Sequence, residues 1–245
     1  MSSTSFITTF QDIIDEVQAR SNSTSVSPLI TPTIIQREIN NSYAWAGRLF
    51  KWPALKAAKT TSSKAGVPNY DYPPTFQPES IFRVEVAGLD DPVYRRKDFE
   101  DYLDWIQNNP TDTDEQIFAN YWTQFFLFPV LNTNGSNDIS VWGYQQVTPL
   151  VLTTDTTIFS NVDPLGNEAI AKQALSICQA IAEGKNVALV ENEEAKAILS
   201  LIFSKISEDK QNDQRLDHPM FRIPDYFAGA TQATEKGGFN IVVKD

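Results

Sequence analysis

Cysteine and histidine each occur once in the 245 residues, as Cys178 and His218, and methionine occurs twice. A single cysteine excludes an intrachain disulfide, and one of each excludes Cys/His zinc sites and chemistry that needs two imidazoles. No apolar run approaches the roughly 18 residues of a membrane-spanning helix. Met1–Gln11 lacks the basic and then apolar order of a secretory signal. Bases are also scarce, 20 against 31 acids, for a formal charge of -11. Such a balance opposes broad electrostatic binding of nucleic acid. Gly-x-Ser-x-Gly is missing, and so is a Gly-rich loop followed by Lys-Ser/Thr, so no nucleophile elbow or phosphate loop is present. The expectation is a chain without cofactor, metal or catalytic set.

What is present begins with helical spacing. Phe6, Ile7, Phe10, Ile13, Ile14 and Val17 fall on one stripe and predict a helix over 6–20. Thr31–Pro32 reads as an N-cap with proline at the first helical position. Ile34, Ile35, Ile39, Tyr43, Ala46 and Leu49 then predict a helix over 33–51, stopped by Trp52–Pro53. The period returns at Glu168–Gly184 and Glu191–Gln211, where Cys178 falls on an apolar face as a small buried hydrophobe.

Between these pairs the pattern is short, β-rich and punctuated. Lys59–Ser63, Ile81–Ala87, Pro92–Arg96, Gln116–Trp122, Phe126–Val130 and Asp138–Gln146 read as strands, with a helix over Lys97–Gln107. Asn132–Asn137 reads as a hairpin loop, since Asn and Gly tolerate positive φ. The charge changes with the pattern: net +1 over 1–56, -7 over 57–152, -4 over 153–212 and -1 over 213–245. The predicted organisation is a helical core of 1–56 and 166–212, an inserted domain of 57–150, and an arm of 213–245. The class is α+β: a bundle of about four helices, an inserted antiparallel β-rich domain and an extended C-terminal arm.

Three constellations invite a functional reading. Seven acids and no base occupy 98–115, among them Asp98, Glu100, Asp101 and Asp104. They read as a solvated face, as a carboxylate set for acid–base work on a glycan, or as a wall facing DNA. Trp122, Trp142 and Tyr144 could contact sugar, although aromatics of a small sheet more commonly fill its core. The tail carries apolar clusters between Pro and Gly: Phe221 and Ile223, Tyr226 and Phe227, then Phe239, Ile241 and Val243. Such a segment cannot form its own core, so it docks elsewhere or stays unfolded. His218, before a proline, reads as structural.

The order of parts carries a resemblance. Ile39-Asn40-Asn41-Ser42-Tyr43 and Trp52-Pro53-Ala54-Leu55 lead to Lys59-Thr60-Thr61, then Tyr70 and Tyr72 before Pro73. Phe82–Val86, Val93–Phe99 and Phe126–Pro129 follow, before the C-terminal helix pair. This resembles the phage head–tail adaptor (connector) proteins, with their "INxAY…WPxL" helix end, "Y-x-L-P" strand and "RRDFD"-like turn. It covers about 6–212. Tyr72-Pro73-Pro74 departs from the leucine-proline pattern, and 147–166 and 213–245 match no part of it. The resemblance implies a structural virion protein with no enzymatic activity, located in the neck and assembled in the host cytoplasm. It implies a homo-oligomeric ring, generally of twelve subunits, under the portal protein and above a tail or nozzle protein. Double-stranded DNA would pass through without specific binding, past acids such as Asp98, Glu100, Asp101 and Asp104, while the arm reaches the portal. The alternatives left open are a tail-associated carbohydrate- or receptor-binding module and a carboxylate-based glycan hydrolase.

Overall fold

The computed structural model describes residues 7–23, 30–89, 91–110, 115–183 and 189–217. The helices are α1 (Phe10–Ser23), α2 (Pro32–Leu49), α3 (Phe99–Asn108), α4 (Leu165–Glu183) and α5 (Leu189–Asp217). The strands are β1 (Lys56–Thr61), β2 (Asn69–Asp71), β3 (Arg83–Val86), β4 (Val93–Lys97), β5 (Ile117–Tyr121), β6 (Gln124–Phe128) and β7 (Ile139–Tyr144). Met1–Leu199 forms one compact unit and Ser200–Asp245 a second, whose described residues are the C-terminal part of α5. No described helix is long and apolar enough to cross a membrane.

α1 starts at Phe10 because a reciprocal cap sits there. Thr9 Oγ1 accepts from Asp12 N, and the Asp12 carboxylate accepts from Thr9 N at 2.9 Å and Thr8 N at 3.0 Å. Burial opposes the Asp12 charge, but these bonds outweigh it and hold the carboxyl below its usual range. α2 opens on the predicted cap, with Thr31 Oγ1 accepting from Ile34 N and Pro32 at the first position. It ends where Phe50 turns extended, and the Trp52 indole Nε1 folds back to donate to Ala46 O at 2.8 Å. α4 packs on both α1 and α2, burying Ala169, Ile170, Ala174, Leu175 and Cys178 against Ile13, Val17, Ile35, Ile39 and Tyr43. Burial pushes the Cys178 thiol up to about 11, so it stays protonated. α5 buries Ala195 and Leu199, and its Glu194 reaches Lys172 of α4 at 2.6 Å.

The seven strands form one sheet in the order β1-β7-β3-β4-β5-β6-β2. Six of the expected features of the inserted region are strands here, but the sheet is mixed, which corrects the antiparallel expectation. β4 and β5 run parallel, Arg95 opposite Ile117 and Lys97 opposite Ala119, because α3 carries the chain back over the sheet between them. The Asn132–Asn137 loop is not a hairpin either. β6 pairs with β5 and β2, whereas β7 pairs with β1 and β3. The loop is instead tied to the end of β1. Ser63 N donates to Asp138 Oδ1 at 2.8 Å, Ser63 Oγ donates to Thr133 O, and Ala65 N donates to Asn134 Oδ1. The tight hairpin lies at Trp122–Thr123, between β5 and β6.

β5 and β6 are apolar on both faces because both are covered. Phe118, Phe125 and Leu127 join Ile81, Val84, Tyr94, Ile139 and Val141 in the main sheet core. Ile117, Ala119, Phe126 and Phe128 face the other way, under Phe99, Tyr102, Trp105 and Ile106 of α3. Continuous apolar strands are the sequence signature of such two-sided burial.

The stretch from Val147 to Pro164, which fits no sequence pattern, is a strap laid over the helices. Asn40 of α2 pairs with the Leu150 backbone as a strand would: Nδ2 donates to Leu150 O at 3.0 Å, and Leu150 N donates to Oδ1 at 2.7 Å. Gln11 N donates to Thr153 O, Phe10 N to Asp155 O, and Ile158 N to Tyr43 Oη. Asn167 is fully buried at the start of α4. Its Nδ2 donates to Ile7 O at 2.8 Å and Ser160 Oγ at 3.1 Å, and its Oδ1 accepts from Thr157 Oγ1. Phe159 plugs the strap inward, its ring edge-on to Trp52 at 5.0 Å.

Candidate interaction surfaces

The predicted acids cluster as the sequence has them. Asp98 is the N-cap residue of α3, and Glu100 and Asp101 fill its first turn, where carboxylates favour the positive end of the helix dipole. Asp98, Glu100, Asp101 and Asp104 are all exposed, while Phe99, Tyr102, Trp105 and Ile106 turn to the sheet. Beside them lies a concavity of about 390 Å³ lined by Glu79, Arg96, Asp98, Glu100, Asn120 and Tyr121. Lys97 at its edge stands 4.1 Å over the Trp105 ring and 3.6 Å from Glu115. The acids thus sit on an open helix face next to bases. Asp101 also lines this concavity, whereas Asp104 does not. Among the described residues no group of three or more His, Cys, Asp and Glu side chains could hold a metal ion.

The three aromatics considered for sugar contact are not brought together. Trp142 lies on β7 with the Arg83 guanidinium 5.3 Å from its ring, and Tyr144 lies near Phe82 and the Lys56 ammonium. Trp122 stands at the β5–β6 turn, with β3 and β4 between β7 and β5 in the sheet order. Its side chain is 70% exposed, and its backbone takes φ 55°. Its carbonyl meets a residue with the same backbone: Glu79, φ 55°, donates its N–H to Trp122 O at 3.0 Å. Tyr72 N donates to Thr123 O at 2.8 Å and fixes the other side of the turn. A left-handed φ is costly for tryptophan, so the fold spends strain to hold an indole in water. Exposed Tyr121, stacked on Phe99 at 4.5 Å, and exposed Leu103 extend this apolar tip beside the acids.

These surfaces are open, and they are apolar at Tyr121, Trp122 and Leu103 and acidic along the start of α3. A family model described as SU10 adaptor protein matches residues 8–220 of the chain. The chain belongs to the SU10 adaptor protein family. No match is found among curated proteins. The family is one of phage structural proteins, which agrees with the expectation of a head–tail adaptor drawn from the motif order. In this adaptor the quoted motifs have structural duties. Asn40 holds the strap, Tyr43 accepts from Ile158 N, and Trp52 closes α2.

The sequence did not single out Val151 and Leu152, two neighbouring aliphatics 78% and 63% exposed on the strap. The available signal was Asp155, three and four residues on, in a stretch otherwise without charge: its carboxylate accepts from Val151 N at 2.7 Å and Leu152 N at 2.8 Å. Those bonds hold Asp155 below the usual carboxylate range. Phe221, Ile223, Tyr226, Phe227, Phe239, Ile241, Val243 and His218 lie outside the described residues.

Proposed function

We propose that this adaptor is a neck protein of a tailed-phage virion, forming a ring of twelve copies under the portal protein and joining the capsid to a tail or nozzle protein. The observation that carries it is the family match over residues 8–220. In the ring, α1, α2 and α4 form the helical core of each subunit, and the β-rich insertion of 57–150 projects from it.

The ring leaves an axial passage for double-stranded DNA. The exposed acids Asp98, Glu100, Asp101 and Asp104 line it and repel phosphate, so DNA slides without adhering. Glu100→Lys or Asp104→Lys then retains more DNA at low salt, and unchanged retention withdraws these residues from the channel wall. The arm, 213–245, docks through Phe221, Ile223, Tyr226, Phe227, Phe239, Ile241 and Val243. Each large apolar side chain removed from water there contributes on the order of 1–3 kcal/mol. Co-sedimentation with the portal protein tests this. The full chain binds, and a chain ending at 212 folds but does not. Failure of the full chain to bind the portal refutes the adaptor reading, whereas equal binding by both chains refutes only the arm's part in it.

A further inference from the structure

Of the nine large apolar residues that stand exposed among the described ones, four fall within 15 residues of the strap and its junction with α4: Val151, Leu152, Val162 and Leu165. The pair at its tip is prearranged. Asp155 gathers the Val151 and Leu152 amides onto one carboxylate, Asn40 pins Leu150 on both backbone atoms, and Phe10 N holds Asp155 O at 2.8 Å. A loop tied at so many points has little freedom left to lose on binding, so burying its tip costs little ordering entropy. The tip is also acidic: residues 147–167 carry Asp155 and Asp163 and no base.

On another face of α2 lies a groove of opposite character. Ala44, Trp45 and Leu49 are half-buried around a concavity of about 430 Å³, with Asn41 and Arg48 on its rim. Residues 41–56 carry Arg48, Lys51 and Lys56 and no acid. Tryptophan in a concave apolar site is the residue type that most often anchors an interface.

We infer that the Val151–Leu152 tip of one copy of this chain seats in the Ala44–Trp45–Leu49 groove of the next copy, with Asp155 and Asp163 set against Arg48 and Lys51. The inference rests on the ring reading above and names the contact that would close it. The charges select a second copy as the occupant, because the chain itself carries both complementary surfaces. Since the two surfaces differ, the contact is heterologous, and a repeated heterologous contact generates a ring or a filament, not a closed dimer.

Cysteine cross-linking tests it on the full chain, since the native Cys178 is buried and protonated and gives a clean background. Copies carrying Ala44→Cys are mixed with copies carrying Leu152→Cys under mild oxidation. The expected result is a disulfide-linked dimer from the mixture, no product from either variant alone, and a ladder of higher species from the double variant. An assembled wild-type ring with no cross-link in the mixture overturns the contact and leaves the ring reading standing. A wild type that stays monomeric with the portal protein present overturns both. Cross-links from Leu152→Cys alone, stopping at dimer, assign the tip to a two-fold contact, and products confined to single double-variant chains assign it to an intrachain one; either overturns the inference. Independently, Val151→Ser with Leu152→Ser weakens self-association by ~10-fold or more without lowering thermal stability, because both side chains are exposed in the isolated subunit. Unchanged association overturns the inference.

Discussion

Replacing Asn167 with alanine removes one amide that fastens the strap and the chain before α1 to the start of α4. The amide makes three hydrogen bonds with no exposure to solvent: to Ile7 O at 2.8 Å, Ser160 Oγ at 3.1 Å and Thr157 Oγ1. The hydroxyls keep other partners, since Ser160 Oγ donates to Thr8 O at 2.6 Å and Thr157 Oγ1 accepts from Phe159 N at 3.0 Å. Among the described residues Ile7 O has no second partner. One orphaned carbonyl, at about 1–3 kcal/mol, together with the small void left by the amide, gives a loss of roughly 2–4 kcal/mol. For a unit of this size that lowers the melting temperature by roughly 5–15 °C. Asn167→Asp sharpens the test. The carboxylate still accepts from Thr157 but faces Ile7 O without a proton to donate, so burial and the carbonyl raise its folded pKa above the ordinary carboxylate value. A raised carboxyl pKa means that the variant regains stability as pH falls through it and loses stability as pH rises. Thermal melts followed by circular dichroism between about pH 4 and 8 read both effects. A loss below about 1 kcal/mol for Asn167→Ala, or a flat pH profile difference for Asn167→Asp, refutes the role of this amide as the anchor.

Three further outcomes follow from single sites. Trp122→Gly relieves a left-handed backbone and leaves stability unchanged or raises it by up to about 1 kcal/mol in thermal melts; a lower melting temperature contradicts strain at this turn. Gly143→Ala places a Cβ 2.7 Å from the ring of buried Phe76 and costs about 1–3 kcal/mol in urea unfolding; a neutral effect means the Phe76 ring yields more than its packing implies. Asp155, depressed by the Val151 and Leu152 amides, stabilises the tip above its unfolded value of about 3.9 and loses that contribution as pH falls through its lower folded value. Asp155→Asn therefore speeds hydrogen exchange at Val151 and Leu152 at neutral pH, and protection equal to wild type refutes the clamp.

The helices were legible because their signals are local. Thr31–Pro32 and Trp52–Pro53 bracket α2 in the sequence as they do in space, and the stripe through Ile13, Ile14 and Val17 is buried as its spacing requires. The parallel β4–β5 pair was not legible, since a ten-residue helix between two strands reads equally as an excursion from an antiparallel sheet. The true hairpin escaped because Trp-Thr carries no turn chemistry; distant backbone groups, Glu79 N and Tyr72 N, hold that turn. The Asn-Gly signal at 132–137 marked a real bend, with Asn137 at φ 54°, but the strands on either side pair elsewhere. The strap was invisible for a related reason. Its order comes from hydrogen bonds to Asn40 and Tyr43, more than 100 residues away in sequence, and no periodicity encodes such pairings. Asp98, Glu100, Asp101 and Asp104 all stand exposed at or on α3, yet a charge run alone does not say which partner it faces.

Electron microscopy of the full chain, alone and mixed with the portal protein, tests the central claim most directly. The account predicts closed rings of twelve subunits, seated coaxially on the portal with an open passage. A chain that stays monomeric under both conditions, or that assembles without any association with the portal, contradicts it.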